Sequence, residues 1–193
     1  MKIMAVTNRK ICNRPLNEQI ERILSLEKRP DYIMLREKDL QPEEYLKLYE
    51  DINKLCAGLK EKLILHNFYE YAGIVKIPAY AVHVSFNEFA ENTDKVLEAA
   101  KHTQSRKAGV SVHSLEEAVQ SQKLGAGYVT AGHIFETDCK KGLKPRGTEF
   151  LTEIVHNINI PVFAIGGINE YNIELVKECG SYGACLMSGF MSL

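Results

Sequence analysis

Pro161-Val162-Phe163-Ala164-Ile165-Gly166-Gly167 is an apolar run that stops abruptly on two adjacent glycines. Such a run favours a buried strand. The glycine pair lets the chain turn tightly and brings backbone N–H groups close to whatever binds there. Runs of the same kind recur at residues 2–7, 32–35, 63–65, 81–85, 108–112, 128–134 and 183–187. Longer stretches of helical period lie between them. In residues 16–26, Ile20, Ile23 and Leu24 share one face while Glu18, Glu21 and Arg22 face away. Residues 42–59 repeat the pattern with Tyr45, Leu46, Leu48, Tyr49, Ile52 and Leu55. Ser114-Leu115-Glu116-Glu117 is a capping box, so a helix starts there and Val112 ends the strand before it.

Strands alternating with helices imply a parallel sheet, because parallel neighbours need crossover connections. Eight such units predict an α/β fold, a (β/α)8 TIM barrel in one domain over residues 1–193. Two segments are thin. The helix around residues 69–75 is short, and the eighth is short or missing, since only Phe190-Met191-Ser192-Leu193 follows the last strand. A barrel wall left bare there would expose apolar side chains, which leads us to expect a homodimer or a higher homo-oligomer.

The net charge of −1 gives no basis for a nucleic-acid or membrane partner and leaves a small molecule as the expected ligand. No apolar run approaches the ~20 residues that span a bilayer, and the first seven residues lack the layout of a signal peptide. A cytoplasmic location is expected. The 5 cysteines are odd in number and form no CxxC pair, so they read as reduced, mostly buried thiols.

In a barrel the residues that end each strand face one pocket. Those ends read Arg36-Glu37-Lys38, His66-Asn67, His83-Val84-Ser85, Ser111-Val112-His113, Gly132-His133, Gly166-Gly167 and Ser188-Gly189. Gly166, Gly167 and Ser188 follow strands seven and eight, where many barrels hold a phosphate. Arg36 can grip a carboxylate or phosphate with two parallel N–H bonds, or it can pair with Glu37. Lys38 has the same choice, with acids in residues 39–44 as its solvated partners. Lys140 and Lys141 lie in a polar segment, residues 136–147, that reads as a mobile loop over the pocket. His102 and His156 read as exposed or structural, and His113, beside the capping box, as structural. His66, His83 and His133 could in principle ligate a metal, but no carboxylate joins them. A single proton-transfer histidine, with no metal and no cofactor, fits better.

Leu35-Arg36-Glu37-Lys38, Gly109-Val110-Ser111-Val112-His113, Gly132-His133-Ile134-Phe135-Glu136-Thr137, Ala164-Ile165-Gly166-Gly167-Ile168 and Ser188 resemble, in order, the thiamine-phosphate synthase/TenI family. The resemblance covers nearly the whole chain and implies the same barrel. Its synthase branch couples a pyrimidine diphosphate to a thiazole phosphate with Mg²⁺. That branch carries Asp in an Asn-Asp pair after strand three and in a His-Leu-Gly-Gln-x-Asp run after strand four. Here the first is His66-Asn67 and the second is His83-Val84-Ser85-Phe86-Asn87-Glu88. Neither Asp is present, and an amide with one Glu is a poor seat for a hard cation. The synthase's Gly-Pro after strand six is Gly132-His133. A histidine there marks the TenI-like branch, the thiazole tautomerases.

That resemblance implies aromatisation of a carboxythiazole phosphate by proton transfer. His133 would take the C2 proton and return it to the exocyclic carbon. Arg36 would hold the carboxylate, the backbone at Gly166, Gly167, Met187 and Ser188 the phosphate, with Lys38, Ser111 and Lys140 as further contacts. The alternatives are the Mg²⁺-dependent synthase itself and a non-catalytic regulator that binds a phosphorylated ligand.

Overall fold

In the computed structural model, residues 1–56, 62–75 and 79–193 are described. Eight parallel strands close into a barrel in chain order: β1 (Lys2–Val6), β2 (Tyr32–Leu35), β3 (Lys62–His66), β4 (Ala81–Ser85), β5 (Ala108–Val112), β6 (Tyr128–Gly132), β7 (Val162–Ile165) and β8 (Gly183–Leu186), with β8 paired back to β1. Each falls on one of the apolar runs read from the sequence. Side chains alternate across a strand. Met4, Val6, Tyr32, Met34, Ile64, Tyr128, Phe163 and Cys185 therefore fill the interior. Ala5, Ile33, Leu65, Val110, Val129 and Ala164 point outward into a second core under the helices.

The helices are α1 (Leu16–Leu24), α2 (Pro42–Cys56), α3 (Phe86–Glu91), α4 (Thr93–Lys101), α5 (Leu115–Lys123), α6 (Gly147–Asn157), α7 (Ile173–Glu178) and α8 (Ser188–Met191). The last few positions expected for the second helix, residues 57–59, lie outside the described residues. Between β3 and β4 the described residues hold only a 3-10 turn, Tyr69–Tyr71. The capping box at α5 forms with one change. Ser114 Oγ accepts from Glu117 N at 3.1 Å, but the Glu117 carboxylate accepts from His113 N at 2.6 Å rather than from the cap residue itself.

The bare wall expected at β8 is not there. α8 is a single turn, yet Phe190 and Met191 are buried, and Gln19 Nε2 of α1 donates to the Phe190 carbonyl at 2.6 Å. Ala5 and Ala184, on the outward sides of β1 and β8, are fully buried as well. Among the described residues no helix is long and apolar enough to cross a membrane. A recess at the N-terminal end of the strands, lined by Tyr32, Tyr80, Tyr128, Phe163 and Tyr182, lies at the far end of the barrel from the strand-end residues.

Candidate active site

β3 and β4 pair His66 with His83, and the two rings stack 5.7 Å apart between centroids. Both share the inward side of their strands with Ile64 and Ala81. His83 is held at both nitrogens, Nδ1 by the Tyr128 hydroxyl at 3.1 Å and Nε2 by Ser111 Oγ at 2.8 Å. Thr130 Oγ1 in turn donates to Ser111 Oγ at 3.2 Å. His66 Nδ1 is buried and has no hydrogen-bond partner among the described residues. Burial, reinforced by the positive charges of Lys38 and Arg36, lowers His83 to about 3. Burial first, then His83, Arg36 and Lys38, puts His66 well below the ordinary histidine value. Both rings are neutral at physiological pH.

This sets a pH dependence. A histidine depressed in the folded state binds its proton more readily when unfolded. Its contribution is therefore complete above the unfolded value near 6.5 and is lost as pH falls from there toward about 3. Urea midpoints should fall between pH 6.5 and 4, and His83→Asn should flatten that slope. An equal slope in parent and variant would contradict the assignment.

Arg36 follows β2 on the inward side, two residues beyond Met34. Its backbone N–H donates to Thr7 Oγ1 at 2.9 Å, and Thr7 Oγ1 donates to the buried Glu37 carboxylate at 2.6 Å. Glu37 also accepts from the backbone and guanidinium of Arg9. The alternative pairing of Arg36 with Glu37 is therefore not formed. Glu37 instead ties the ends of β1 and β2 together, and Arg36 has no ion pair among the described residues. Asp39 is occupied by Arg9 and Lys10. Lys38 likewise has no ion pair among the described residues. Its ammonium is pushed below the usual lysine value by burial of its stem, then by the nearby charges of Arg36 and Lys140. Arg36, Lys38 and Lys140, which have no ion pair among the described residues, thus gather at one rim, which favours an anionic ligand. Lys141 is exposed, as are His102 and His156.

His133 is buried one residue beyond β6, after a cis peptide with Gly132. Its ring Nε2 lies 3.3 Å from the Leu143 carbonyl, and its own carbonyl accepts from Arg146 N at 3.0 Å. A carbonyl can only accept, so Nε2 carries the proton and Nδ1 is left with the lone pair in the neutral ring. These contacts tie Leu143 and Arg146 to the residue that follows β6. The structure does not bring His133 into hydrogen-bond contact with Arg36, His66, His83 or Ser111.

Gly166 and Gly167 both have positive φ, 101° and 66°. A Cβ on Gly166 would lie 2.7 Å from His133 Cα, and one on Gly167 2.8 Å from Phe135. The glycines are thus required by the β6 loop packed against them. A valine at 167 would displace that loop before it crowded a ligand. Register Ile165↔Cys185 continues to place Gly167 beside Met187, with Ser188 and Gly189 opening α8, which no side chain caps.

Thr130 and Tyr128 were not among the residues singled out from the sequence. Their signal is register: Thr130 pairs with Ser111 on β5 and shares its inward side with Tyr128.

A family model described as thiamine monophosphate synthase matches residues 3–190. The chain belongs to the thiamine monophosphate synthase family. It is 32% identical over 194 aligned positions to a thiamine-phosphate synthase of Fusobacterium nucleatum, covering 99% of this chain and 89% of that one. It is 31% identical to the thiamine-phosphate synthase of Clostridium acetobutylicum, over 99% and 87% of the two chains. Among solved structures, a thiamine phosphate pyrophosphorylase from Pyrococcus furiosus superposes with a TM-score of 0.77 at 28% identity, covering 97% of this chain and 85% of that one.

The resemblance to the synthase branch of this family implies Mg²⁺, so the fit of the donor set matters. Asn67 offers an amide from a left-handed backbone, φ 68°. Glu88 Oε1 is already engaged by the Tyr69 hydroxyl at 2.8 Å and Asn92 Nδ2 at 3.1 Å. Among the described residues no three His, Cys, Asp or Glu side chains gather as a metal site requires. These side chains do not fit a Mg²⁺ bound between two carboxylates.

Proposed function

We propose that this member of the family is a thiazole tautomerase of thiamine biosynthesis. The observation that carries the reading is His133: a buried imidazole whose Nδ1 has no hydrogen-bond partner among the described residues stands where the synthase pattern has a proline, which can transfer no proton. The substrate is a thiazoline-ylidene ethyl phosphate with a carboxylate at C2. Nδ1 of His133 takes the C2 proton, the electrons of that C–H bond move into the ring, and the imidazolium returns the proton to the exocyclic carbon. The product is the aromatic carboxythiazole phosphate, with no net change in atoms or charge. Arg36 receives the carboxylate, and the backbone at Gly166, Gly167, Met187 and Ser188 the phosphate. Lys38 and Lys140 add positive charge at the rim, and Ser111 offers a hydroxyl from the barrel floor.

The names of the relatives support a second reading, Mg²⁺-dependent coupling of a pyrimidine diphosphate to a thiazole phosphate. Asn67, Phe86 and the engaged Glu88 speak against it. The purified protein should form no thiamine phosphate from those two substrates with Mg²⁺. Product that disappears with EDTA would establish the second reading instead.

A further inference from the structure

We infer that His113 is a positioning residue for His133, acting through the carbonyl of Gly132. The inference rests on the reading of His133 as the proton-transfer group.

His113 stands one residue past β5, directly before the Ser114 cap of α5. Its backbone N–H donates to Glu117 Oε2 at 2.6 Å, so the first turn of α5 fixes where the residue sits. Its ring Nδ1 lies 2.8 Å from the Gly132 carbonyl oxygen. That oxygen can only accept, so Nδ1 carries the proton. The Gly132 carbonyl and the His133 nitrogen belong to one planar peptide. A directional bond to the oxygen therefore sets the plane from which the His133 side chain departs. On the other side, the His133 carbonyl accepts from Arg146 N at 3.0 Å and Ile134 N donates to the Ile165 carbonyl at 3.0 Å. Glu117, His113 and Gly132 thus form a chain of directional contacts from a helix start to the proposed base.

The core has little use for an imidazole at this position. His113 is only half-buried. Its ring contributes a donor aimed at one carbonyl. Such support matters because a misplacement of ~1 Å in a reacting group can cost ~10²-fold in rate. Asparagine can place an amide N–H near the position of Nδ1. Leucine fills similar volume without a donor.

The test compares the parent with His113→Leu and His113→Asn in steady-state aromatisation kinetics and in the ¹⁵N spectrum of the His133 ring. For His113→Leu, kcat should fall about 10–100-fold with KM within about twofold. The His133 ring should lose the single Nε2–H tautomer signature of the parent. His113→Asn should recover most of both. Unchanged kcat and spectrum in His113→Leu would overturn the inference. Equal impairment of both variants with equally lowered melting would also overturn it, because the role would then be structural. If the parent itself does not aromatise the substrate, the tautomerase reading fails separately. The ring spectra then decide on His113 alone: tautomer order lost in Leu and regained in Asn supports it, and unchanged order overturns it.

Discussion

Replacing His133 with asparagine is expected to lower kcat for aromatisation by ~10²–10⁴-fold, or roughly 3–5 kcal/mol of transition-state stabilisation. The loss should sit in kcat. Carboxylate and phosphate are assigned to Arg36 and to the backbone around Gly167 and Ser188, so KM should change little. His83→Asn is the stringent control. Both ring nitrogens of His83 are committed, to Tyr128 and Ser111, so it has no free lone pair to offer a substrate. Its variant should keep most of the activity even though it perturbs the floor of the barrel. His66, whose Nδ1 has no hydrogen-bond partner among the described residues, is the rival. Turnover that survives His133→Asn and disappears in His66→Asn would move the base from β6 to β3.

Gly166→Ala should be strongly destabilising for a single added methyl. Its φ of 101° lies in a region that L-residues adopt only with strain. The added Cβ would also meet His133 Cα at 2.7 Å and Ile134 N at 3.3 Å. Backbone has to move, so the stability loss should reach about 2–4 kcal/mol by urea titration. Because the displaced backbone is that of His133, kcat should fall as well. Gly142 separates the two causes. Its φ is also positive, 85°, but a Cβ there meets nothing within 4 Å. Gly142→Ala should cost only the conformational part, ~1 kcal/mol. Equal losses in the two variants would show that the contact with His133 carries no weight.

The contrast between these glycines shows where the sequence stops being legible. That Gly166 and Gly167 end a strand is plain from the apolar run before them. That they pack on the β6 loop depends on the β6–β7 register, which no local pattern encodes. All eight strands could be read because parallel barrel strands are buried on both faces and appear as short continuous apolar runs. The same burial hid Thr130 and Tyr128. Inside an apolar run, their role becomes visible only once the inward side is known. Glu37 was legible as a partner for a cation, but the cation is Arg9, from the turn after β1, and adjacency in sequence pointed to Arg36 instead. The eighth helix was correctly read as short. The bare wall expected from that length is not there, since Ala5, Ala184, Phe190 and Met191 are all buried.

The central claim is that His133 performs a metal-independent proton transfer. Its most direct test is to follow conversion of the carboxythiazoline-ylidene phosphate to its aromatic isomer by proton NMR, with parent and His133→Asn proteins, each with and without EDTA. The parent should convert it rapidly and at the same rate in EDTA, and His133→Asn should convert it at a rate near the uncatalysed one. Conversion that EDTA abolishes, or that His133→Asn supports at the parent's rate, would contradict the claim.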